Sequence, residues 1–210
     1  MYGIQNFELF CISAIVLSVT PGPDTFYILG RTISQGSNSG IASVLGISTG
    51  VLVHTIAAAI GLSTILATSA LIFRVIKFIG AAYLIYLGIT LILASKDTGA
   101  LNRNNLSSSG FWKIYSQGVI TNVLNPKVAL FFLSFLPQFI DPDHGSVTSF
   151  VFLGIIYVFT CTVWYLIFAV FSSAMAKAFQ KNTVLIRTMN KISGGIFIGL
   201  GLSLAFYKTD

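Results

Sequence analysis

Six apolar runs, at residues 7–29, 41–67, 70–94, 113–138, 147–172 and 190–207, dominate this 210-residue chain and decide its solvent. Each can supply the roughly 20 residues that a helix needs to cross a bilayer. Lipid offers no partner to a backbone N–H or C=O, so a spanning segment has to be helical or part of a closed barrel. The expected fold is therefore all-α, with about six transmembrane helices in a single domain over residues 1–210. A five-span version, with one run re-entrant, is the alternative. Composition agrees: 55% of residues are hydrophobic and 9% charged, against about 25% charged in a soluble domain. The first run is expected to remain as a span. It lacks a basic leader, Glu8 stands at its start, and no small-residue cleavage pattern follows.

The net charge of +6 does not point to a nucleic acid, because the basic residues fall between apolar runs rather than in one patch. Their distribution instead predicts an orientation. Arg31, Lys96, Arg103, Lys113, Lys177, Lys181, Arg187 and Lys191 follow the first, third and fifth runs. Only Arg74, Lys77 and Lys208 fall on the opposite side. The positive-inside rule then makes the richer side cytoplasmic and sends both termini outward. The loop of Asp141, Pro142 and Asp143, which has no Lys or Arg, fits the outer side. Arg74 and Lys77 must snorkel to the surface. Cys11 and Cys161 lie in apolar runs without a CxxC or a neighbouring His, so they read as small core residues rather than as a disulfide or metal site.

Two halves, about 1–100 and 105–210, carry related patterns. Pro21 and Pro126 stand 105 residues apart, followed at equal distance by Phe26 and Tyr27 in one half and Phe131 and Phe132 in the other. Lys77, Gly80 and Tyr83 likewise match Lys191, Gly194 and Phe197. Three spans per half is an odd number, so the halves would cross the membrane in opposite senses, as in many secondary transporters. Chance likeness between apolar segments is the competing explanation.

The run Thr20-Pro21-Gly22-Pro23-Asp24 has the most chemistry in it. Prolines remove backbone donors, which lipid tolerates only where the break faces protein or water. Thr20 is expected to cap a new half-helix, with Pro21 at its first position. Asn125 and Pro126 would repeat the device. Two half-helix N-termini meeting near the membrane centre would suit a carboxylate. Asp24 could take an ammonium group or a proton, and Lys127 could pair with Asp24 or hold the anion. The structural alternative is a pair of kinks with Asp24 and Lys127 in a fixed salt bridge. His54, mid-span, fits either a proton relay or a neutral packing residue. Phe26, Tyr27, Phe131 and Phe132 are candidate cavity walls. The spacings Gly46/Gly50 and Gly195/Gly199 read as helix packing.

Residues 20–36 (TPGPDTFYILGRTISQG) and 40–54 (GIASVLGISTGVLVH) resemble the first-half signature of the lysine/threonine exporter (LysE/RhtB) family. KFIGAAYLIYLGI at 77–89 is similar to its third-span pattern, and LNPKVALFFLSFLPQFI at 124–140 to its second-half signature. Ser37, Asn38 and Ser39 depart from it, since relatives often carry basic residues there. The resemblance implies a multi-pass protein of the bacterial inner membrane that exports amino acids or their derivatives, driven by protons. It implies functional positions at Pro21, Gly22, Pro23, Asp24, Asn125, Pro126 and Lys127.

The inferred partners are a small-molecule substrate and the lipid bilayer. A homodimer is compatible with so small a carrier, though no residue feature requires one. No catalytic centre, metal site or cofactor is expected: the chain has two His, no HExxH, no GxSxG and no nucleotide-binding loop. A scaffold subunit is the other reading, and it leaves two matched proline breaks with intramembrane charge unexplained.

Overall fold

Proline decides where the first helix of each half stops. In the computed structural model, which describes residues 3–68, 70–93, 109–141, 144–171 and 183–206, α1 (Phe7–Val19) ends just before Pro21 and α2 (Pro23–Gln35) restarts at Pro23. The second half repeats this. There α5 (Phe111–Val123) stops short of Pro126, and α6 (Pro126–Leu130) restarts at it. A π-helical turn, Phe131–Phe135, and a 3₁₀ turn, Leu136–Phe139, continue α6. Both broken pairs bend by 48°. Each is followed by a long helix and then another: α3 (Ser37–Thr68) and α4 (Ala70–Leu93), then α7 (Val147–Val170) and α8 (Thr183–Phe206).

Two helices, α3 over Ser37–Thr64 and α7, are long and apolar enough to cross a membrane alone, and each broken pair adds one more if it is taken as a single span. That makes four among the described residues, where the sequence led us to expect six. In α4 the apolar stretch runs only over Phe78–Leu93, because Arg74 and Lys77 occupy its first half. Arg187 and Lys191 likewise open α8. The orientation charges Lys96, Arg103, Lys177, Lys181 and Lys208, with Pro142 and Asp143 of the outer loop, lie outside the described residues.

The broken pairs lie antiparallel. At one end the start of the chain pairs with the end of the second break: Gln5 N–H donates to Phe139 O at 2.9 Å, and Asp141 N–H to Gly3 O at 2.7 Å. At the other end, Ser109 N–H donates to Gln35 Oε1 at 3.0 Å, joining the end of α2 to the approach to α5. Between these ends α3 packs against both α5 and α7. Ser48 and Thr162 share a hydrogen bond of 2.7 Å, as Thr49 and Tyr115 do at 2.9 Å. Apolar side chains cover the outside, with Ile60 66%, Phe159 68% and Trp112 75% exposed. In water such a surface would be a liability, and in lipid it is the matching solvent.

Close approach depends on glycine at several crossings. A Cβ on Gly46 would strike Tyr115 O, and one on Gly80 would strike Ser134 in the π-helical turn. Gly88 and Gly194 face each other across α4 and α8, each with a would-be Cβ 2.5–2.6 Å from the other's carbonyl oxygen. The Gly46/Gly50 spacing is therefore a packing device. Gly195/Gly199 is not one among the described residues, where neither glycine has anything within 4 Å of its would-be Cβ. The residue that α8 uses is Gly194, next in sequence. Gly194→Ala should lower the thermal stability of the detergent-solubilised protein by about 1–3 kcal/mol through overpacking. Gly195→Ala should leave it unchanged. Equal losses in the two unfolding curves would contradict this packing.

Candidate functional site: the junction of two helix breaks

At the first break, Thr20 is the C-cap of α1 and not the N-cap of α2. Its hydroxyl turns back to donate to Val16 O at 2.6 Å and lies 2.9 Å from Ser193 Oγ of α8. Gly22, with no side chain to contribute, is the N-cap residue of α2, and Pro23 rather than Pro21 holds its first position. The expected capping role of Thr20 is thus corrected. A threonine hydroxyl at a helix end finds its own i−4 carbonyl before any group ahead of it. Pro21 has no N–H with which to close a turn onto Leu17 O, and Thr20 O lies beyond the last turn. Lys127, from the other break, meets both: its Nζ donates to Leu17 O at 3.0 Å and to Thr20 O at 2.9 Å.

The second break follows the sequence reading more closely. Asn125 caps α6, its Oδ1 accepting from Lys127 N–H at 3.1 Å, and Pro126 stands at the first position. The carbonyl that Pro126 cannot serve is Asn122 O. It accepts from Asn125 N–H at 2.9 Å and lies 3.2 Å from His54 Nε2. A carbonyl oxygen only accepts, so this partner assigns the proton of His54 to Nε2. The His54 ring also stacks on Phe132, with centroids 5.7 Å apart.

Asn122 joins the breaks, its Nδ2 donating to Asp24 Oδ2 at 2.9 Å. Asp24 and Lys127 make no direct ion pair. The ammonium is held by backbone carbonyls and the carboxylate by an amide, so the fixed salt bridge of the structural alternative does not form. Four buried polar atoms at this junction form no direct hydrogen bond of good geometry: Asp24 Oδ1, Asn122 Oδ1, Asn125 Nδ2 and Thr25 Oγ1, although the Asn125 side chain stands near Asp24 and the Tyr165 hydroxyl near Thr25. Their residues are all at most 3% exposed. Buried polar groups are ordinarily paired, so a cluster of four marks a place where a polar ligand would be satisfied. Among the described residues no group of three or more His, Cys, Asp or Glu gathers to hold a metal.

The aromatic candidates divide. Phe132 borders the junction between His54 and Tyr157. Phe131 packs among Phe10, Phe135 and Tyr157 as part of the core. Tyr27 points to α5, where its hydroxyl donates to Ile114 O at 2.7 Å, and Phe26 is half-buried. Arg31 was expected in a connection, yet it lies inside α2 at 5% exposure. Its Nη2 donates to Gln117 Oε1 at 2.6 Å, and its guanidinium carbon is 5.8 Å from the centre of the Tyr27 ring. Sequence reasoning missed Asn122 and Thr25 as site residues. A signal for Asn122 existed, since it lies four residues before Pro126, where the carbonyl that loses its ordinary helical donor had to be.

The sequence matches the model of the LysE type translocator family over residues 15–208. It is 34% identical over 196 residues to the uncharacterized membrane protein YrhP of Bacillus subtilis (strain 168), covering 90% of this chain and 93% of that one. An uncharacterized membrane protein of Vibrio cholerae is 30% identical over 200 residues, covering 95% and 96%. The leucine efflux protein of Salmonella choleraesuis is 28% identical over 210, covering 97% and 96%. No solved structure matches the chain.

Lys127→Met removes the donor from two buried carbonyls and should cost about 1–3 kcal/mol of stability. Lys127→Arg, which keeps charged donors there, should cost less than half as much. Thermal unfolding in detergent measures both. A Lys127→Met protein as stable as the parent would mean that the two carbonyls have another donor.

Proposed function

Because the chain belongs to the LysE type translocator family, we propose that it is an amino-acid efflux carrier whose substrate is held where the two proline breaks meet. The observation that carries the reading is the group of four buried polar atoms at that junction that form no direct hydrogen bond of good geometry. They include acceptors beside a carboxylate, suited to an ammonium group, and a donor at a helix N-terminus, suited to a carboxylate. The similarity to a leucine efflux protein over nearly the whole chain supports an amino-acid cargo.

In this reading the chain forms six spans as two inverted repeats, α4 and α8 being the third span of each. The equal 48° bends and the antiparallel broken pairs support it. Both termini face outward across a bacterial inner membrane. Alternating access then has two closures to work with, one on each side of the junction. One is the backbone pairing of Gly3–Gln5 with Phe139–Asp141, backed by the rings of Phe10, Phe135 and Phe139. The other is made by Tyr27 on Ile114 and Arg31 on Gln117. Opening one while the other holds would expose the junction to one side at a time.

Protons supply the drive, and Asp24 is the group that exchanges one: it is buried at the junction, and its Oδ1 has no fixed partner. Asp24→Asn keeps the shape and removes the exchangeable charge. In liposomes with an imposed pH gradient, the parent protein should accumulate a labelled amino acid, and Asp24→Asn should lose at least about tenfold of that accumulation. A folded parent protein that moves no amino acid would contradict the carrier reading. An Asp24→Asn protein that accumulates normally would contradict the assignment of coupling to Asp24.

A further inference from the structure

The acids of the chain are few, and their positions bear on which amino acids the junction accepts. There are six: Glu8, Asp24, Asp97, Asp141, Asp143 and Asp210. Glu8 is exposed in the first turn of α1, and Asp141 follows the 3₁₀ turn, its carboxylate on His144. Asp97, Asp143 and Asp210 lie between or beyond the apolar runs of the sequence. Among the described residues, Asp24 is the one acid at the junction.

A fixed cation stands close by. Lys127 Nζ is fixed on Leu17 O and Thr20 O, and a would-be Cβ of Gly22 stands 3.3 Å from it. Arg31 is buried seven residues further along α2, about 10 Å by helix rise. His54, with its proton on Nε2, touches Asn122 from α3 without adding a charge. Facing Asp24 from the second break is Asn122, an amide where a second carboxylate would be nearly isosteric. It donates one hydrogen to Asp24 Oδ2 and keeps Oδ1 as a neutral acceptor. It fits there because Gly50 has no side chain, since a Cβ on Gly50 would lie 2.7 Å from Asn122 Cβ.

From this geometry we infer that the carrier takes amino acids with one ammonium, one carboxylate and an uncharged side chain, and that Asn122 is the residue that sets the limit. The inference rests on the junction being the substrate site. The substrate ammonium goes to Asp24 Oδ1 and Asn122 Oδ1, and its carboxylate to Asn125 Nδ2 and Thr25 Oγ1. A zwitterion adds no net charge to the membrane interior. A substrate with a second cation would bring one beyond the single carboxylate of Asp24, in a region already holding Lys127. An unpaired charge at that depth is costly.

The test compares labelled leucine, threonine and lysine in liposomes containing the full-length parent protein, Asn122→Asp or Asn122→Ser, each checked for folding by gel filtration. The parent should move leucine or threonine at least about a hundredfold more efficiently than lysine, the order expected for an uncompensated charge. Asn122→Asp places a second carboxylate beside Asp24 and should raise the ratio of lysine to neutral amino acid at least about tenfold. Asn122→Ser, which stays neutral, should keep the parental preference. A parent protein that moves lysine as well as leucine overturns the substrate class while leaving the carrier reading intact. A folded Asn122→Asp protein with an unchanged ratio, or one inactive on all three, overturns the role of Asn122. A parent that moves none of the three under any gradient removes the carrier reading, and this inference with it.

Discussion

A backbone carbonyl without a donor costs several kcal/mol in hydrocarbon, and Pro21 and Pro126 each take away the ordinary helical donor of one at the same relative position, four residues before the ring. The rest of the junction follows from how those two oxygens are met. Leu17 O receives Lys127 from the opposite break, and Asn122 O receives Asn125 N–H from its own turn and His54 from α3. Each half thus recruits an ionisable side chain from elsewhere to complete its backbone. A buried lysine and a half-buried histidine arrive at the junction for a structural reason, before any ligand is considered, and Asp24 is set beside them by the amide of Asn122.

Packing enforces this arrangement. The α3 helix runs beside both α5 and α7, and its Gly50 leaves room for the Asn122 side chain beneath it. Gly80 of α4 does the same for Ser134, in the π-helical turn that follows the second break. Single π-helical turns commonly mark functional segments of helices, and this one lies between the junction and the aromatic core. Thr20, placed at the end of α1, ties the first break to α8 through Ser193. The third helices of both halves are therefore held to the breaks of the other half, α4 on the second and α8 on the first.

Much of this was legible in the sequence. Long apolar runs, two prolines at a spacing of 105 residues and an Asn before the second of them gave helices, breaks and one true cap. The family resemblance is borne out over nearly the whole chain. What could not be read were choices between local options of similar merit. Two prolines, Pro21 and Pro23, competed for the start of α2, and the side chain of Thr20 was already engaged with its own turn. Asn122 is one amide in an apolar run, and its importance comes from a partner 98 residues away. Arg31 looked like a loop charge because it lies near the end of its run. It is in fact buried, and Gln117 of α5 supplies an acceptor.

The central claim is that an amino acid occupies the junction of the breaks. Cysteine protection tests it most directly, since the two native cysteines, Cys11 and Cys161, are free and can be replaced. In that background, Thr25→Cys would be exposed to a hydrophilic thiol reagent with and without the transported amino acid. Leu62→Cys, buried in the core toward the far end of α3, serves as the control. The account predicts that position 25 reacts in the working carrier and that substrate slows the reaction several-fold, while position 62 stays unreactive. Equal reaction at position 25 with and without substrate, in protein that still transports, would contradict it.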